Sequence, residues 1–361
     1  MKLLLAGGGT GGHLFPAVAL AQGLLKQDSS SRVHFVGTAQ GLESRLLPKL
    51  GLPLATIDMT GFVGRGVFGK IMIMPKLLRS VRQSRRILRY FQPDLVVGVG
   101  GYASVPVLLA AKMLRIPYLI HEQNAVPGLG NKFLSRWAES VCLSFAESDN
   151  AFAGAQTLVT GNPLRQGLEL LPELLPENGT LLIFGGSRGA QAINRCVVKM
   201  LPKLVEQNPT LRILHQTGEE DLNEVRQGYA DAGVNPNYVV PFIDDMASAY
   251  ADAELVICRA GATTIAELTV CGRPAILIPY PYAAGDHQTE NARSLAEAGA
   301  ACMLPQTELT PEGLALKVSD LLGDRKFLEQ MAHNARQMGQ PGATLRILQE
   351  CERLIAKGKD T

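Results

Sequence analysis

Apolar residues along this chain gather in short runs, each followed by a glycine-bearing loop and then by a stretch with the three-to-four spacing of an amphipathic helix. The pattern predicts strands at Lys2–Ala6, Val33–Val36, Leu95–Val99, Tyr118–His121, Ser140–Leu143 and Leu158–Thr160. A second set follows at Leu181–Phe184, Arg212–Gln216, Tyr238–Pro241, Leu255–Cys258, Ala275–Ile278 and Ala301–Met303. Strands alternating with helical stretches of about 10–15 residues read as βαβ units and a parallel sheet. Between the sets, Gly161–Gly179 is rich in Pro and Leu but carries no strand pattern, which marks a domain boundary. The two halves also repeat one plan, since LLLAGGGTGG at 3–12 is matched by LLIFGGSRGA at 181–190. The expected fold is therefore α/β, with two Rossmann-like domains whose parallel sheets face each other across a cleft.

Length and composition agree. A chain of 361 residues exceeds what one core usually serves. With 46% hydrophobic and 19% charged residues and a mean hydropathy of +0.09, a disordered or collagen-like chain is excluded. No run reaches the roughly 18 apolar residues of a membrane span. The apolar start MKLLLA runs straight into glycines and reads as a first strand, not a signal peptide. Six scattered cysteines without a C-x-x-C pair argue against disulfides or zinc and for a reducing, cytosolic setting. The net charge of +2 hides a basic half, +9 over residues 1–160, against −7 in the rest. Such a half faces something anionic, nucleic acid or a lipid surface.

Candidate chemistry sits in the loops. Gly7, Gly9 and Gly12 formally match G-x-G-x-x-G, which brings backbone N–H groups at a helix N-terminus close to a phosphate. A dinucleotide site also wants an acid at the end of the second strand, and Gly37-Thr38-Ala39-Gln40 offers none there. A nicotinamide-dependent oxidoreductase is weakened by this but stays open. His13, in the first helical turn, is a candidate general base or simply a packed histidine. Ser187 lies in a second loop that lacks the Gly-Lys-Ser/Thr ending of a P-loop. No D-x-D pair is present to hold a metal–diphosphate. Glu267 is placed one turn into a helix opened by Ala262, Thr263, Thr264, Ile265 and Ala266. It could accept two ribose hydroxyls, or merely favour the helix dipole. Asp286, His287, Gln288 and Asn291 form a further polar cluster after a strand.

Taken in order, GGGTGGH, GVGGY (98–102), HEQN (121–124), GNPLR (161–165), GGSRGA, HQTG (215–218), PFIDDM (241–246), CRAGATTIAE (258–267) and DHQTEN (286–291) closely resemble the MurG family of bacterial glycosyltransferases. Nine motifs in sequence are specific where each alone is weak, and the likeness covers essentially the whole chain. It implies a GT-B fold with an acceptor- and membrane-facing domain at 1–162 and a donor domain at 163–342. A C-terminal helix near 343–356 would pack back on the first. It implies inverting transfer of N-acetylglucosamine from UDP-N-acetylglucosamine to the 4-hydroxyl of a muramoyl-pentapeptide on undecaprenyl diphosphate, with no cofactor or metal.

Carried over by motif, Glu267 holds the ribose and Ile243 meets the uracil through its backbone. Arg165 and Ser187 meet the nucleotide or its diphosphate, and residues 262–266 supply helix N–H groups. Gln288 and Asn124 contact the sugar, and Thr10, Gly11 and Gly12 close over it. His13 is the base candidate with Glu122 as runner-up, and Tyr102 shapes the acceptor side. A sister activity, glycosylation of diacylglycerol, would share the fold.

Arg65–Arg89 holds eight Lys/Arg and no acid, interleaved with Phe68, Ile71, Met72, Ile73, Met74, Leu77 and Leu78. On a helix starting after Pro75, Arg79, Arg82, Arg86 and Arg89 share a side. This fits peripheral attachment to anionic lipid on the cytoplasmic face of the bacterial inner membrane. A nucleic-acid partner is not expected, because no recognition motif accompanies the charge.

Overall fold

The computed structural model describes residues 1–59, 67–177 and 179–359, with backbone only at 67–73, 284 and 359. The chain divides into two compact units, Met1–Arg165 with Gly342–Thr361, and Gln166–Pro341. Pro163–Arg165 thus stay with the first unit, three residues beyond the boundary expected from sequence.

The first unit runs β1 (Lys2–Ala6), α1 (Gly11–Gln27), β2 (Arg32–Gly37), α2 (Glu43–Lys49), β3 (Leu54–Thr56), α3 (Val67–Phe91), β4 (Leu95–Gly98), α4 (Ser104–Met113), β5 (Tyr118–Glu122), α5 (Leu129–Leu134), β6 (Ser140–Leu143) and β7 (Thr157–Val159). The second runs β8 (Thr180–Phe184), α6 (Gln191–Gln207), β9 (Arg212–Gln216), α7 (Leu222–Asp231), β10 (Val239–Val240), α8 (Met246–Asp252), β11 (Ala253–Cys258), α9 (Ala262–Cys271), β12 (Ala275–Leu277), α10 (His287–Glu297), β13 (Ala301–Met303), α11 (Pro311–Gly323) and α12 (Arg325–Met338). The last helix, α13 (Ala343–Lys359), belongs to the first unit.

Both sheets are parallel throughout the described pairs, ordered β3-β2-β1-β4-β5-β6-β7 and β10-β9-β8-β11-β12-β13. Strand order reverses between β1 and β4 and again between β8 and β11. Open α/β sheets take their ligands beyond the strand ends at such points. The glycine loops found in sequence leave from those strands.

Each central strand is buried on both faces, as parallel sheets require. In β1, Leu3 and Leu5 pack under α1 and α13, while Leu4 and Ala6 pack with residues of α3 and α4. The second core joins Leu181 and Ile183 to α6, α11 and α12. Helix α13 is fastened by Ile347, Leu348, Cys351 and Leu354, all within the α1 core. Three aliphatic side chains buried there contribute roughly 1.5–3 kcal/mol each. The Arg346 guanidinium adds two bonds to the Thr160 carbonyl, at 3.0 and 2.8 Å.

Helix α3 begins at Val67 and passes through Pro75, so it does not start after that proline as its sequence suggests. Arg65 and the side chains of Phe68, Ile71, Met72 and Ile73 lie outside the described residues. Leu77, Val81 and Leu88 pack inward, while Arg79, Arg82, Arg86 and Arg89 are exposed beside Met74 and Leu78. Arg79 is paired with Asp58 at 3.0 Å. The acid absent from the basic stretch arrives from the loop after β3.

Candidate active site

At the carboxyl ends of β1, β4 and β5 three loops converge. The glycine loops after β1 and β4 interlock so closely that a side chain at Gly101, whose φ is +78°, would collide with the Gly8 carbonyl. Glu43 anchors the first loop from below. Its Oε2 accepts the Gly9 N–H at 2.7 Å, and its Oε1 accepts the Thr38 N–H and hydroxyl at 2.8 and 2.9 Å. The acid missing from the end of β2 therefore comes from the start of α2, and it serves the loop. A buried carboxylate on that N–H repels a pyrophosphate, which weighs against the nicotinamide reading.

Thr10 is the exposed N-cap of α1, Gly11 is buried, Gly12 is exposed, and His13 is half-buried in the first turn. His13 Nδ1 lies 3.4 Å from Gln123 Oε1. The Gln123 amide nitrogen donates to the Val99 carbonyl at 2.8 Å and faces His121 Nδ1 at 3.1 Å. His121 Nε2 in turn meets the Gly161 carbonyl at 3.2 Å. His121 is fully enclosed, and burial pushes its pKa down to about 4.

Glu122, the alternative base, is fixed differently. Its Oε1 accepts the Asn124 N–H and side-chain amide at 3.0 and 3.1 Å. Its Oε2 accepts the Gly128 N–H and the Asn131 amide at 3.1 and 2.8 Å. Four donors occupy both carboxylate oxygens, so this geometry suits a loop anchor that presents Asn124 rather than a base. Tyr102 is exposed on the neighbouring loop, 43% accessible, as a contact residue must be. Arg165 stands with its guanidinium 3.9 Å from the Phe15 ring of α1. It therefore belongs to the first unit's cluster, whereas the boundary expected after residue 162 places it in the donor domain.

The second unit builds its own site around β8, β9, β11 and β12. Gln216, at the end of β9, stitches two loops together. It donates to the Gly186 carbonyl at 2.8 Å and accepts the Ile243 N–H at 3.2 Å. The Ile243 N–H is thus engaged within the protein, and a backbone contact to a base falls to its carbonyl. Ser187 is half-buried in the first of these loops. Beneath them His215 bridges Tyr229 Oη (3.0 Å) and Asn194 Oδ1 (3.1 Å), and burial pushes its pKa down to about 3.

Helix α9 opens at Ala262 after the extended Gly261, with Thr263 and Ile265 buried and Thr264 and Ala266 half-buried. Glu267, one turn in, is buried and accepts the Tyr250 hydroxyl at 3.2 Å. The Tyr250 ring packs edge-on against Phe184, the last residue of β8. Gln288 accepts the Tyr280 N–H at 2.9 Å, which directs its amide NH₂ elsewhere. Asn291 is buried and bonded to the Ala260 carbonyl, so it supports the loop before α9. Arg259 ties the same region down through the carbonyls of Ile278 and Pro279.

Sequence reasoning missed Gln123, Glu43, Gln216 and Tyr250. Gln123 and Gln216 stood inside quoted motifs whose roles went unread, and Glu43 and Tyr250 act from elements outside them.

Two parallel sheets, each with a glycine loop at its switch point, make a two-domain α/β protein, and its family models are those of a glycosyltransferase. The glycosyltransferase family 28 N-terminal domain matches residues 3–143, and the family 28 C-terminal domain matches residues 180–347. A relative from Syntrophotalea carbinolica is 59% identical across 99% of this chain and 100% of its own length. One from Geotalea uraniireducens is 49% identical across 98% of each. Both are named UDP-N-acetylglucosamine–N-acetylmuramyl-(pentapeptide) pyrophosphoryl-undecaprenol N-acetylglucosamine transferase. The crystal structure of Acinetobacter baumannii MurG superposes with a TM-score of 0.73 at 37% identity, covering 98% of this chain and 99% of that one. The chain belongs to glycosyltransferase family 28 and, within it, to the MurG family.

Proposed function

We propose that this chain transfers N-acetylglucosamine from UDP-N-acetylglucosamine to the 4-hydroxyl of a muramoyl-pentapeptide on undecaprenyl diphosphate, a step of peptidoglycan synthesis. The observation that carries this is the near-complete match to relatives named for that transfer. In our reading the acceptor oxygen attacks the anomeric carbon as the bond to the UDP oxygen breaks with inversion. His13 receives the acceptor's proton, and the negative charge that grows on UDP is met by the N–H groups opening α9. Glu267 accepts the ribose hydroxyls, Ser187 meets the diphosphate, and the Ile243 carbonyl meets the uracil. The amides of Gln288 and Asn124 address the sugar, with Thr10, Gly11 and Gly12 closing on it. Arg165, stacked on Phe15, meets the nucleotide or its diphosphate, and Tyr102 borders the acceptor.

The enzyme lies on the cytoplasmic face of the plasma membrane, held by anionic lipid at the outer face of α3. Exposed Met74, Leu78, Arg82 and Arg86 support this, as do exposed Met113, Leu129, Phe133 and Trp137 in the same unit. Among the described residues no helix is long and apolar enough to cross a membrane. The transfer is tested with labelled UDP-N-acetylglucosamine offered in parallel to the lipid-linked muramoyl acceptor and to diacylglycerol. Label should enter only the first; label in diacylglycerol would move the chain to the sister activity.

A further inference from the structure

We infer that Gln123 is a positioning residue that holds His13 as its Nδ1–H tautomer and so leaves Nε2 as the proton acceptor. This rests on the reading of His13 as the base. The assignment follows from two backbone carbonyls that can only accept. The Val99 carbonyl, 2.8 Å from the Gln123 amide nitrogen, fixes that atom as the NH₂ group, so the atom facing His13 must be Oε1. At the far end the Gly161 carbonyl, at 3.2 Å, receives the proton of His121 on Nε2, with the Ser144 hydroxyl beside it at 3.4 Å. His121 Nδ1 is then a lone pair, and it receives the second hydrogen of the Gln123 amide. Every polarity along the chain is now set. Gln123 Oε1 can only accept, so His13 Nδ1 must donate, and the free lone pair of the imidazole resides on Nε2.

The arrangement is the amide counterpart of a carboxylate that orients a catalytic imidazole, with one difference in effect. An amide fixes the tautomer through hydrogen bonding and brings no charge to the imidazole. Burial of Gln123 (2% exposed) and of His121 (0%) shields the chain from competing water. His121 stays neutral through the physiological range because its enclosure penalises the charged ring, so the polarity does not reverse on mild acidification.

The test is ¹⁵N NMR of the wild-type protein carrying ring-labelled histidine, with His13 assigned by the resonances lost in His13→Gln. Above the titration of His13, the spectrum should show Nδ1 protonated and Nε2 bare. Free histidine in water prefers the opposite form. Nε2–H, or a mixture like that of the free side chain, overturns the inference. Gln123→Met, close in volume, should shift His13 toward Nε2–H. It should also lower kcat by roughly 10- to 10²-fold with the donor KM unchanged. An unaltered tautomer or an unaltered kcat in that variant overturns the inference as well. Should Gln123→Met fail to fold, the wild-type spectrum decides alone. A wild-type rate in His13→Ala would remove the base reading while leaving the tautomer assignment to the nitrogen spectrum, so the two failures are told apart.

Discussion

Individual side chains divide here into those that face a ligand and those that hold the facing ones in place. Glu267 is the sharpest proposed case of the first kind, a buried carboxylate one turn into α9 with the Tyr250 hydroxyl on Oε2, which we propose accepts the ribose. Glu267→Ala should raise the donor KM by about 10- to 10²-fold, because charge-assisted hydrogen bonds are worth roughly 1.5–3 kcal/mol each. Initial rates against UDP-N-acetylglucosamine concentration check this, and an unchanged KM removes Glu267 from the ribose. Gly100 is a case of the second kind. Its φ is +84°, and a Cβ there would lie 3.0 Å from His13 Nδ1. Gly100→Ala should therefore displace the imidazole and lower kcat by about 10²-fold with donor affinity intact, since small misplacements of a reacting group are costly. Calorimetric titration of the donor alongside turnover would show whether the loss is in chemistry or in binding. The residues proposed to face the ligands were visible in the sequence through their motifs. The partners of the holders were not, because Glu43 and Gln216 act on loops that start more than 25 residues away.

Elements show the same split. Long apolar runs with glycine punctuation gave away the strands, whereas β3 is only three residues after Gly51 and Pro53 and carries too little pattern to detect. The partner of Arg79 was invisible for a related reason, since Asp58 precedes the basic helix and reaches it only in the fold. That pairing changes the membrane expectation. Arg79 is partly neutralised by Asp58, so Arg82 and Arg86 carry more of the attraction to lipid, and the Arg82→Glu/Arg86→Glu double variant should lose most of its sedimentation with anionic vesicles. Raised salt should release part of the parent protein too, with a Debye length of about 8 Å at physiological ionic strength. Equal pelleting of variant and parent would return α3 to the ordinary surface. Helix α13 makes an independent prediction. A Cβ on Gly23 of α1 would lie 2.6 Å from Thr344 Cγ2, so this glycine lets the two helices approach. Gly23→Val should lower stability by about 1–3 kcal/mol through overpacking, read as a lower urea midpoint.

Across the whole molecule, the division into two units with one glycine-loop site apiece was legible from the repeated plan of the two halves, because parallel strands and their loops are local in sequence. What the sequence did not disclose is that each unit keeps a neutral histidine inside, His121 in the first and His215 in the second. Both have folded pKa values, about 4 and about 3, below the ordinary 6.5. As pH falls below 6.5 the unfolded chain binds these protons and the folded one does not, so stability is complete above that value and drains away toward pH 4 and below. Urea midpoints should accordingly fall between about pH 7.5 and about pH 5; a midpoint that is flat or rises contradicts the burial of neutral rings.

Sugar transfer to a lipid-linked acceptor and proton removal by His13 are tested together by one side-by-side measurement. Wild type and His13→Ala are given labelled UDP-N-acetylglucosamine and the undecaprenyl-linked muramoyl-pentapeptide, with donor affinity measured by titration on the same samples. Wild type should form the lipid-linked disaccharide, and His13→Ala should form it roughly 10²–10⁴-fold more slowly with unchanged donor affinity. No disaccharide from wild type, or equal rates from both proteins, would contradict the account.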